Sequence, residues 1–541
     1  MTARFTATWF RWVIFGAAVL TPSLGRAQNY RELPIGGRTA TMGGAGTAAG
    51  NDSAMPYLNP AGLAGVPGDI FAVSATAYSY TQRSYQNFFF PSGPPPALGY
   101  QAQSESFSTT SIGETPSSVM YFRDLSGPKS TIQHRVGVSL VIPGARSVDL
   151  VASASGKVGN GAGQQLETAA ITERDTVYYL GPTYAVGLRD WLRLGVSLYG
   201  IYRRQVSTNN ATLTQSLLGV TVGGYTGQNA QLNESLSFAP IVGMQMRVAP
   251  DIWVGLGFMP PSIATNGHLR ASTNSSYTTT SGNSAQLTQT STITTEDLNY
   301  SVSEPMRLNV GIALDHRQGF SLALDVHYYA AQTAAKATGV QTYQVQQAGE
   351  VTRSYGVPVS LSTQAQDVFD ISVGAELALN RAISLRAGFF TDNSSAPAIG
   401  TTVDSLYLIR LDRYGGTLGL GLTLGSFDST AGVVVARGDG RFGALDPYIT
   451  KAVVPVSTDE TTAMFVLSGA VTIKEAQKAI RDALPFEVPL LPDLGGTPGN
   501  QAPAPRIPSP LPAEPKPPPP TLGISRQISL PSPPMPGGPL R

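Results

Sequence analysis

The residues of this chain that could do chemistry sit at alternate positions of predicted strands. Ser321, Asp325 and His327 share one strand face, and a serine, an acid and a histidine are the set that hydrolases use for nucleophilic catalysis. A period of two places such residues on one face without making them converge, as a catalytic triad must. We therefore predict no enzymatic activity from these residues.

Charged residues recur on the same strand faces, where they could bind a ligand carboxylate or pair with one another. Opposite charges on neighbouring strands stabilise a sheet, so cross-strand pairing is the simpler interpretation. With 4 His and 0 Cys, and no clustered ligand spacing, we expect no metal site and no cofactor. The candidate lumen residues are Arg307, Asp325, His327, Asp370, Glu376 and Arg386.

The elements that must position these residues are strands. From residue 69 to 473 apolar and polar residues alternate, as in Met306, Leu308, Val310, Ile312 and Leu314 against small or polar neighbours. We predict about fourteen strands, an even number that returns the chain to its starting side. Their predicted ranges are 70–80, 117–124, 133–142, 176–188, 191–206, 235–248, 251–258, 305–316, 319–331, 367–379, 382–391, 413–424, 428–437 and 461–473.

The connections predict a membrane barrel. Turns of a few residues alternate with long polar segments at 81–116, 143–175, 207–234, 259–304, 332–366, 392–411 and 438–460, which we interpret as loops outside the cell. The sheet must close, because unpaired backbone groups at an open edge are costly in hydrocarbon. The fold class is therefore all-β, a transmembrane antiparallel β-barrel. Aromatic residues that could form its interfacial girdles are Tyr78, Tyr80, Tyr178, Tyr199, Tyr202, Trp253, Tyr328 and Tyr329.

The two ends of the chain do not alternate. Arg4 and Arg11, an apolar run and a small-residue site at Ala27 predict a secretory signal peptide over 1–27. Residues 28–67 are Gly- and Ala-rich, too short to fold alone, and are predicted to plug the lumen of the barrel at 68–473. Residues 474–541 predict a short helix and a Pro-rich periplasmic tail. A net charge of +1 excludes a large basic surface for nucleic acid.

The predicted plug contains the most specific motif. Gly36-Gly37-Arg38-Thr39-Ala40, Gly43-Gly44-Ala45-Gly46 and Asn51-Asp52-Ser53-Ala54 precede Asn59-Pro60-Ala61-Gly62-Leu63-Ala64. This series resembles the N-terminal hatch of the FadL family of outer-membrane transporters for long-chain fatty acids and aromatic hydrocarbons. The resemblance implies a 14-stranded barrel with Asn59, Pro60, Ala61, Gly62 and Leu63 in the hatch. It also implies ligand capture outside, an apolar lumen pocket and sideways release after the hatch shifts.

The chain also departs from that family, because it continues beyond its last predicted strand to Arg541 and does not match closely before Gly36. We expect a monomeric transporter in the bacterial outer membrane, surrounded by lipid, that takes up hydrophobic small molecules. The alternative is a structural, assembly or secretion-associated barrel whose tail docks a periplasmic partner or the cell wall. A third hypothesis is an open diffusion porin.

Overall fold

The computed structural model describes residues 29–32, 34–66, 68–86, 101–102, 107–127, 130–158, 163–217, 220–281, 284–316, 319–347, 352–399, 409–425, 427–445 and 453–472. The predicted signal peptide and the Pro-rich tail lie outside these residues. The strands are β1 (Ile70–Tyr85), β2 (Gln101–Ala102), β3 (Phe107–Asp124), β4 (Gln133–Val158), β5 (Gly163–Arg189), β6 (Leu192–Leu217), β7 (Val220–Ala249), β8 (Ile252–Met259), β9 (Ile263–Ser281), β10 (Ser284–Val302), β11 (Arg307–His316), β12 (Phe320–Tyr329), β13 (Gln332–Gln347), β14 (Arg353–Ala365), β15 (Val368–Ala378), β16 (Ile383–Asp392), β17 (Ile409–Leu424), β18 (Phe427–Leu445) and β19 (Val453–Thr472).

The strands form one closed antiparallel barrel. Several wall strands are each interrupted once and therefore consist of two elements. β8 and β9 pair successively with β7 and together form one wall strand. The pairs β10 with β11, β12 with β13 and β14 with β15 each form one wall strand in the same way. The short β2 extends the β3 side of the wall along β4. When each interrupted strand is counted once, the barrel has 14 strands, and β19 pairs with β1 to close it. The predicted fold class and strand number are confirmed.

An apolar band surrounds the outside of the barrel near one rim. On β6 the outward side chains from Leu194 through Leu198 to Tyr202 are apolar or aromatic, and from Arg204 onward all except Val206 are polar. Roughly ten residues of tilted strand cross a hydrocarbon core, so the band has the height that a bilayer requires. The rim next to it, which we call the turn rim, carries the connections at 125–132, 190–191, 250–251, 317–319, 379–382 and 425–426.

Beyond the band, the wall continues where loops were predicted. The predicted loops at 143–175, 207–234, 259–304 and 332–366 are largely strand, within β4 to β7, β9, β10, β13 and β14. Their Ser-, Thr-, Asn- and Gln-rich sequence hides the alternation, because both faces are polar there. Thr nevertheless favours extended backbone, and neighbouring strands satisfy the hydrogen bonds. The loop prediction was therefore wrong for these segments, which form a polar extension of the wall.

The predicted aromatic girdle was partly wrong. Tyr178 stacks on Tyr202 at the edge of the apolar band, with ring centroids 6.1 Å apart, and Tyr328 packs against Phe369 at 4.7 Å. In contrast, three of the predicted girdle residues point into the lumen and are at most 5% exposed: Tyr199, Trp253 and Tyr329. Parity along a strand decides the side, and a one-residue shift reverses it.

The segment before β1 forms only short turns of helix. These are α1 (Arg38–Thr41), α2 (Met55–Leu58) and a 3₁₀ turn η1 (Pro60–Gly65). Pro56 and Pro60 stand in the first turns of α2 and η1, where a missing N–H costs nothing. No helix among the described residues is long and apolar enough to cross a bilayer.

Candidate functional site

Residues 29–66, which we call the plug, contact inward side chains around the barrel. The hydroxyl of Ser197 on β6 donates to Pro56 O at 2.8 Å, and that of Thr417 on β17 donates to Thr41 O at 2.7 Å. Ser74 on β1 donates to Gly36 O at 2.9 Å. Contacts from such widely separated strands put the plug across the lumen.

The motif at residues 59–63 lies at the centre of the plug. The Asn59 side chain is fully buried and donates to Thr47 O at 2.7 Å and to Met244 O of β7 at 2.9 Å, while its oxygen accepts the Ala61 N–H at 3.2 Å. It therefore caps η1 and joins two parts of the plug to the wall. Pro60, Ala61, Gly62 and Leu63 are buried with it.

Two candidate lumen residues bind the backbone of the plug. The fully buried Asp325 accepts the backbone N–H groups of Gly46 and Thr47 at 2.7 and 2.8 Å. Arg307 donates to Tyr57 O at 2.6 Å and lies 3.8 Å from the centroid of its ring. Hydrogen bonds to charged groups contribute more than neutral ones, so these residues anchor the middle of the plug.

His327 contacts the plug indirectly, through Asn309. Its Nδ1 lies 2.9 Å from Asn309 Oδ1, and Asn309 donates to Leu58 O at 2.9 Å. The neighbouring Ser321 hydroxyl donates instead to Asp315 at 2.8 Å. The structure therefore does not bring Ser321, Asp325 and His327 together as a triad. Among the described residues, no group of three His, Cys, Asp or Glu is arranged for a metal ion.

An ion-pair network closes the turn-rim side of the plug. Glu376 on β15 accepts Arg386 Nε of β16 at 2.7 Å and Arg38 Nε of the plug at 2.6 Å. Arg38 also lies 3.6 Å from Asp315. Glu376 and Arg386 thus form a cross-strand ion pair of the kind expected from the sequence, and Glu376 also binds the plug. A cavity of about 430 Å³ lies beside them on the turn-rim side.

Inward glycines let the plug backbone touch the wall backbone. A Cβ at Gly388 would overlap Met42 and Gly43 of the plug, and one at Gly255 would overlap Thr47 and Ala48. The contacted atoms are mostly backbone, so they cannot swing aside. We call the following residues, whose added Cβ would meet the plug, the glycine belt: Gly195, Gly243, Gly255, Gly257, Gly311, Gly374, Gly388, Gly419 and Gly432.

On the side of the plug away from the turn rim, tyrosines surround two small cavities of about 60 and 40 Å³. Tyr30 of the plug stacks on Tyr329 of β12, with centroids 4.4 Å apart, and Tyr57 meets Tyr179 of β5 edge-on at 5.1 Å. Tyr30 and Tyr57 line both cavities. We call Tyr30, Tyr57, Tyr179 and Tyr329 the aromatic pocket.

The barrel wall has a seam between β3 and β4. In the described residues their ladder covers only Ser118–Asp124 against Arg135–Val141 near the turn rim, and farther along β4 the short β2 pairs with Lys157 and Gly156. At the start of the seam, the register between β4 and β5 shifts between Val141 and Gly144. Val141, Ile142 and Pro143 are buried in succession, which breaks the alternation of a regular strand.

A cavity of about 500 Å³ connects the lumen with this seam. It touches Arg413 and Glu460 on the inner face and also Thr176 and Tyr178, whose alternation with the buried Val177 and Tyr179 puts them on the outer face of β5. The cavity therefore passes through the wall where the apolar band ends.

Charged residues line the inner part of this cavity. Glu460 on β19 accepts Arg83 Nε of β1 at 2.9 Å and Arg413 Nε of β17 at 2.8 Å. Arg413 Nη1 reaches Asp392 at 3.5 Å and Glu32 of the plug at 3.7 Å. The start of the plug is thus bound to the wall by charge beside the seam.

None of the candidate hatch or lumen residues from the sequence lines the seam cavity. The available signal was Pro143-Gly144 at the end of the predicted strand 133–142, together with Pro116 in β3. Proline cannot donate to a ladder, so a proline at the end of a predicted strand is compatible with an interruption there.

Glu32 provides a pH test of the plug, because burial raises the pKa of its carboxyl above the ordinary 4.5, while Arg413 and Arg146 oppose the shift. A raised pKa means that the contribution of this group to stability is present below pH 4.5 and is lost as the pH rises through the folded value. We expect the urea midpoint of wild type to fall more steeply with pH than that of Glu32→Gln. The urea midpoint can be followed by Trp253 fluorescence, since Trp253 packs against the plug residues Met42, Ala45 and Ala48.

The matched control is Glu234→Gln, which changes an exposed carboxylate on the outer face of β7. It should keep the wild-type pH dependence. If the urea midpoints of wild type and Glu32→Gln changed in parallel with pH, ionisation of Glu32 would not destabilise the plug.

No protein-family model matches the chain, and no curated protein matches it. Solved structures resemble it at low identity. The chain is similar to a Pseudomonas aeruginosa FadL homologue, with a TM-score of 0.49 and 11% identity over 82% of this chain and 99% of that one. It is also similar to the P. putida toluene transporter TodX, with a TM-score of 0.47 and 12% identity over 82% and 99%.

A third similar structure is the Ralstonia pickettii toluene transporter TbuX, with a TM-score of 0.41 and 12% identity over 82% of this chain and 99% of that one. The compared structures include a homologue from the family that residues 59–63 resemble. At such identities the ligand of this chain has to be argued from its own residues.

Proposed function

We propose that this protein is a bacterial outer-membrane transporter that takes up hydrophobic small molecules and releases them sideways. The observation that carries the proposal is the seam between β3 and β4 above a blocked lumen. Because the plug lies across the barrel axis, a molecule in the aromatic pocket would leave through the wall, by way of the cavity at the seam. That exit opens where the apolar band ends, beside the lipid. The proposal keeps 1–27 as a signal peptide and 474–541 as a periplasmic tail.

The ligand classes in the proposal follow from the two kinds of lining. Aromatic rings favour an apolar body, since they offer large faces for stacking and dispersion contacts. The arginines at the seam cavity, among them Arg31 and Arg146, suit a carboxylate. Long-chain fatty acids combine both features, whereas aromatic hydrocarbons use only the first. An open porin agrees less well with this lumen, because its axis is occupied by the plug.

Binding of a fluorescent long-chain fatty acid to the detergent-purified protein tests the proposal. We expect saturable binding that unlabelled fatty acid displaces, and displacement by toluene as well if the aromatic pocket holds the body of the ligand. Asn59→Ala removes the buried amide that joins the plug to β7 and should weaken binding roughly tenfold or more, since each lost hydrogen bond costs about 1 kcal/mol.

The matched control is Asn299→Ala, which removes an exposed amide from β10 far from the plug motif. It should bind like wild type. Absence of saturable binding for both ligand classes would count against transport and favour the assembly or secretion alternative.

A further inference from the structure

The first residues after β16 turn into the lumen, a feature that matters for the proposed uptake. Ser394, Ser395 and Ala396 follow the end of β16 and are 7%, 0% and 0% exposed. Ala396 packs against Ala365 of β14 and Ala334 of the neighbouring wall. We call residues 393–396 the inward connection. It lies on the far side of the plug, where a ligand from outside would arrive.

Wall carboxylates and backbone groups hold the inward connection in place. Asp370 accepts the Asn393 N–H at 2.8 Å, and Asp412 accepts the Ser394 N–H at 2.9 Å. The Gln366 N–H donates to Ser395 O at 2.7 Å. Each of these bonds comes from a different strand or strand end, so the position is specified from several sides.

The start of the plug is tied to the residue from which this connection departs. Asn29 Nδ2 donates to Asp392 O at 2.5 Å and to Leu411 O at 3.0 Å, and the Arg31 N–H donates to Asp392 Oδ1 at 3.1 Å. Between them, Tyr30 stacks on Tyr329 in the aromatic pocket. Asp392 is covalently joined to Asn393, so displacement of the inward connection pulls on the bonds that hold residues 29–31.

We infer that the inward connection is an outer gate whose opening releases the start of the plug through Asp392. When residues 393–396 leave the lumen, Asn29 and Arg31 lose their bonds to Asp392, and the Tyr30 ring between them is held less firmly in the aromatic pocket. Entry from outside and access to the pocket are then one coupled event. This inference rests on the proposed uptake for its purpose, although the coupling itself is a property of the folded chain.

Hydrogen exchange measured by mass spectrometry on purified full-length Asp412→Asn tests the coupling. Asp412 is exposed, so the variant should fold, and its side chain accepts a hydrogen bond from Ser394 of the inward connection. We expect exchange to quicken roughly tenfold or more both in residues 393–396 and in residues 29–32, because a hydrogen bond to a charged group is lost.

Asp439→Asn is the matched control, since Asp439 lies directly opposite Asp412 on β18 and is also exposed. It should leave exchange in both segments unchanged. Faster exchange confined to residues 393–396 would overturn the coupling, and unchanged exchange in both would overturn the gate. The readout involves no ligand, so a failure of the proposed transport, seen as absent fatty-acid binding, is distinguished from a failure of this inference.

Discussion

Linking β3 to β4 across their seam is expected to stop uptake while ligand binding persists. Ser111 of β3 and Ser147 of β4 both line the cavity that passes through the wall. The chain has 0 Cys, so Ser111→Cys combined with Ser147→Cys gives the only reactive thiols. A bis-maleimide spacer between them would cross the proposed exit. Uptake of fluorescent fatty acid into proteoliposomes should then fall to the level of liposomes without protein.

Binding of the same ligand in detergent should remain close to wild type, because the aromatic pocket lies between the plug and the wall, apart from the linked positions. Each single-cysteine variant treated with the same reagent is the matched control, since it carries the spacer without joining the strands. Normal uptake by the linked protein would exclude the seam as the exit and direct attention to an axial route past the plug.

The fold of this chain was predictable because burial leaves a strong signal in the sequence. Along β11 and β12 one face must meet lipid and the other the lumen, so large apolar residues alternate with polar or small ones, and both strands were predicted within two residues at each end. The polar extension was not predictable in this way. In β6 beyond Arg204 the outward residues include Thr208, Asn210 and Thr212, which resemble a loop in composition.

Residues of the candidate site were predictable only where they belong to a motif or where alternation along a strand puts them on the lumen face. Asn59 was found from its motif, and Asp325, Arg307 and Glu376 from their strand face. Their roles depend on the plug segment that each meets, which no local pattern encodes. The seam depends on a ladder that stops at Ser118 and Val141, a property of two strands together. The inward turn after Asp392 likewise depends on distant partners such as Asp412.

Filling the glycine belt is expected to expel the plug and leave an open barrel. In Gly255→Val combined with Gly388→Val, new side chains would overlap plug backbone at two places on the wall, near Thr47 and near Gly43. Overpacking of this kind costs about 1–3 kcal/mol at each site, and backbone atoms cannot rotate away. Valine suits a strand, and the wall ladders do not involve the plug, so the barrel itself should persist.

The measurement is ion conductance of the purified variant in planar bilayers. A barrel of this strand number without its plug leaves a hydrated lumen, so steady conductance should appear where wild type shows little. Gly200→Val with Gly224→Val is the matched control, because an added Cβ at either position meets no atom nearer than 3.5 Å. That control should conduct like wild type. If the belt variant also stayed closed, contact with inward glycines would not be what seats the plug, and the polar anchors at Asp325, Arg307 and Glu376 would have to hold it against the added side chains.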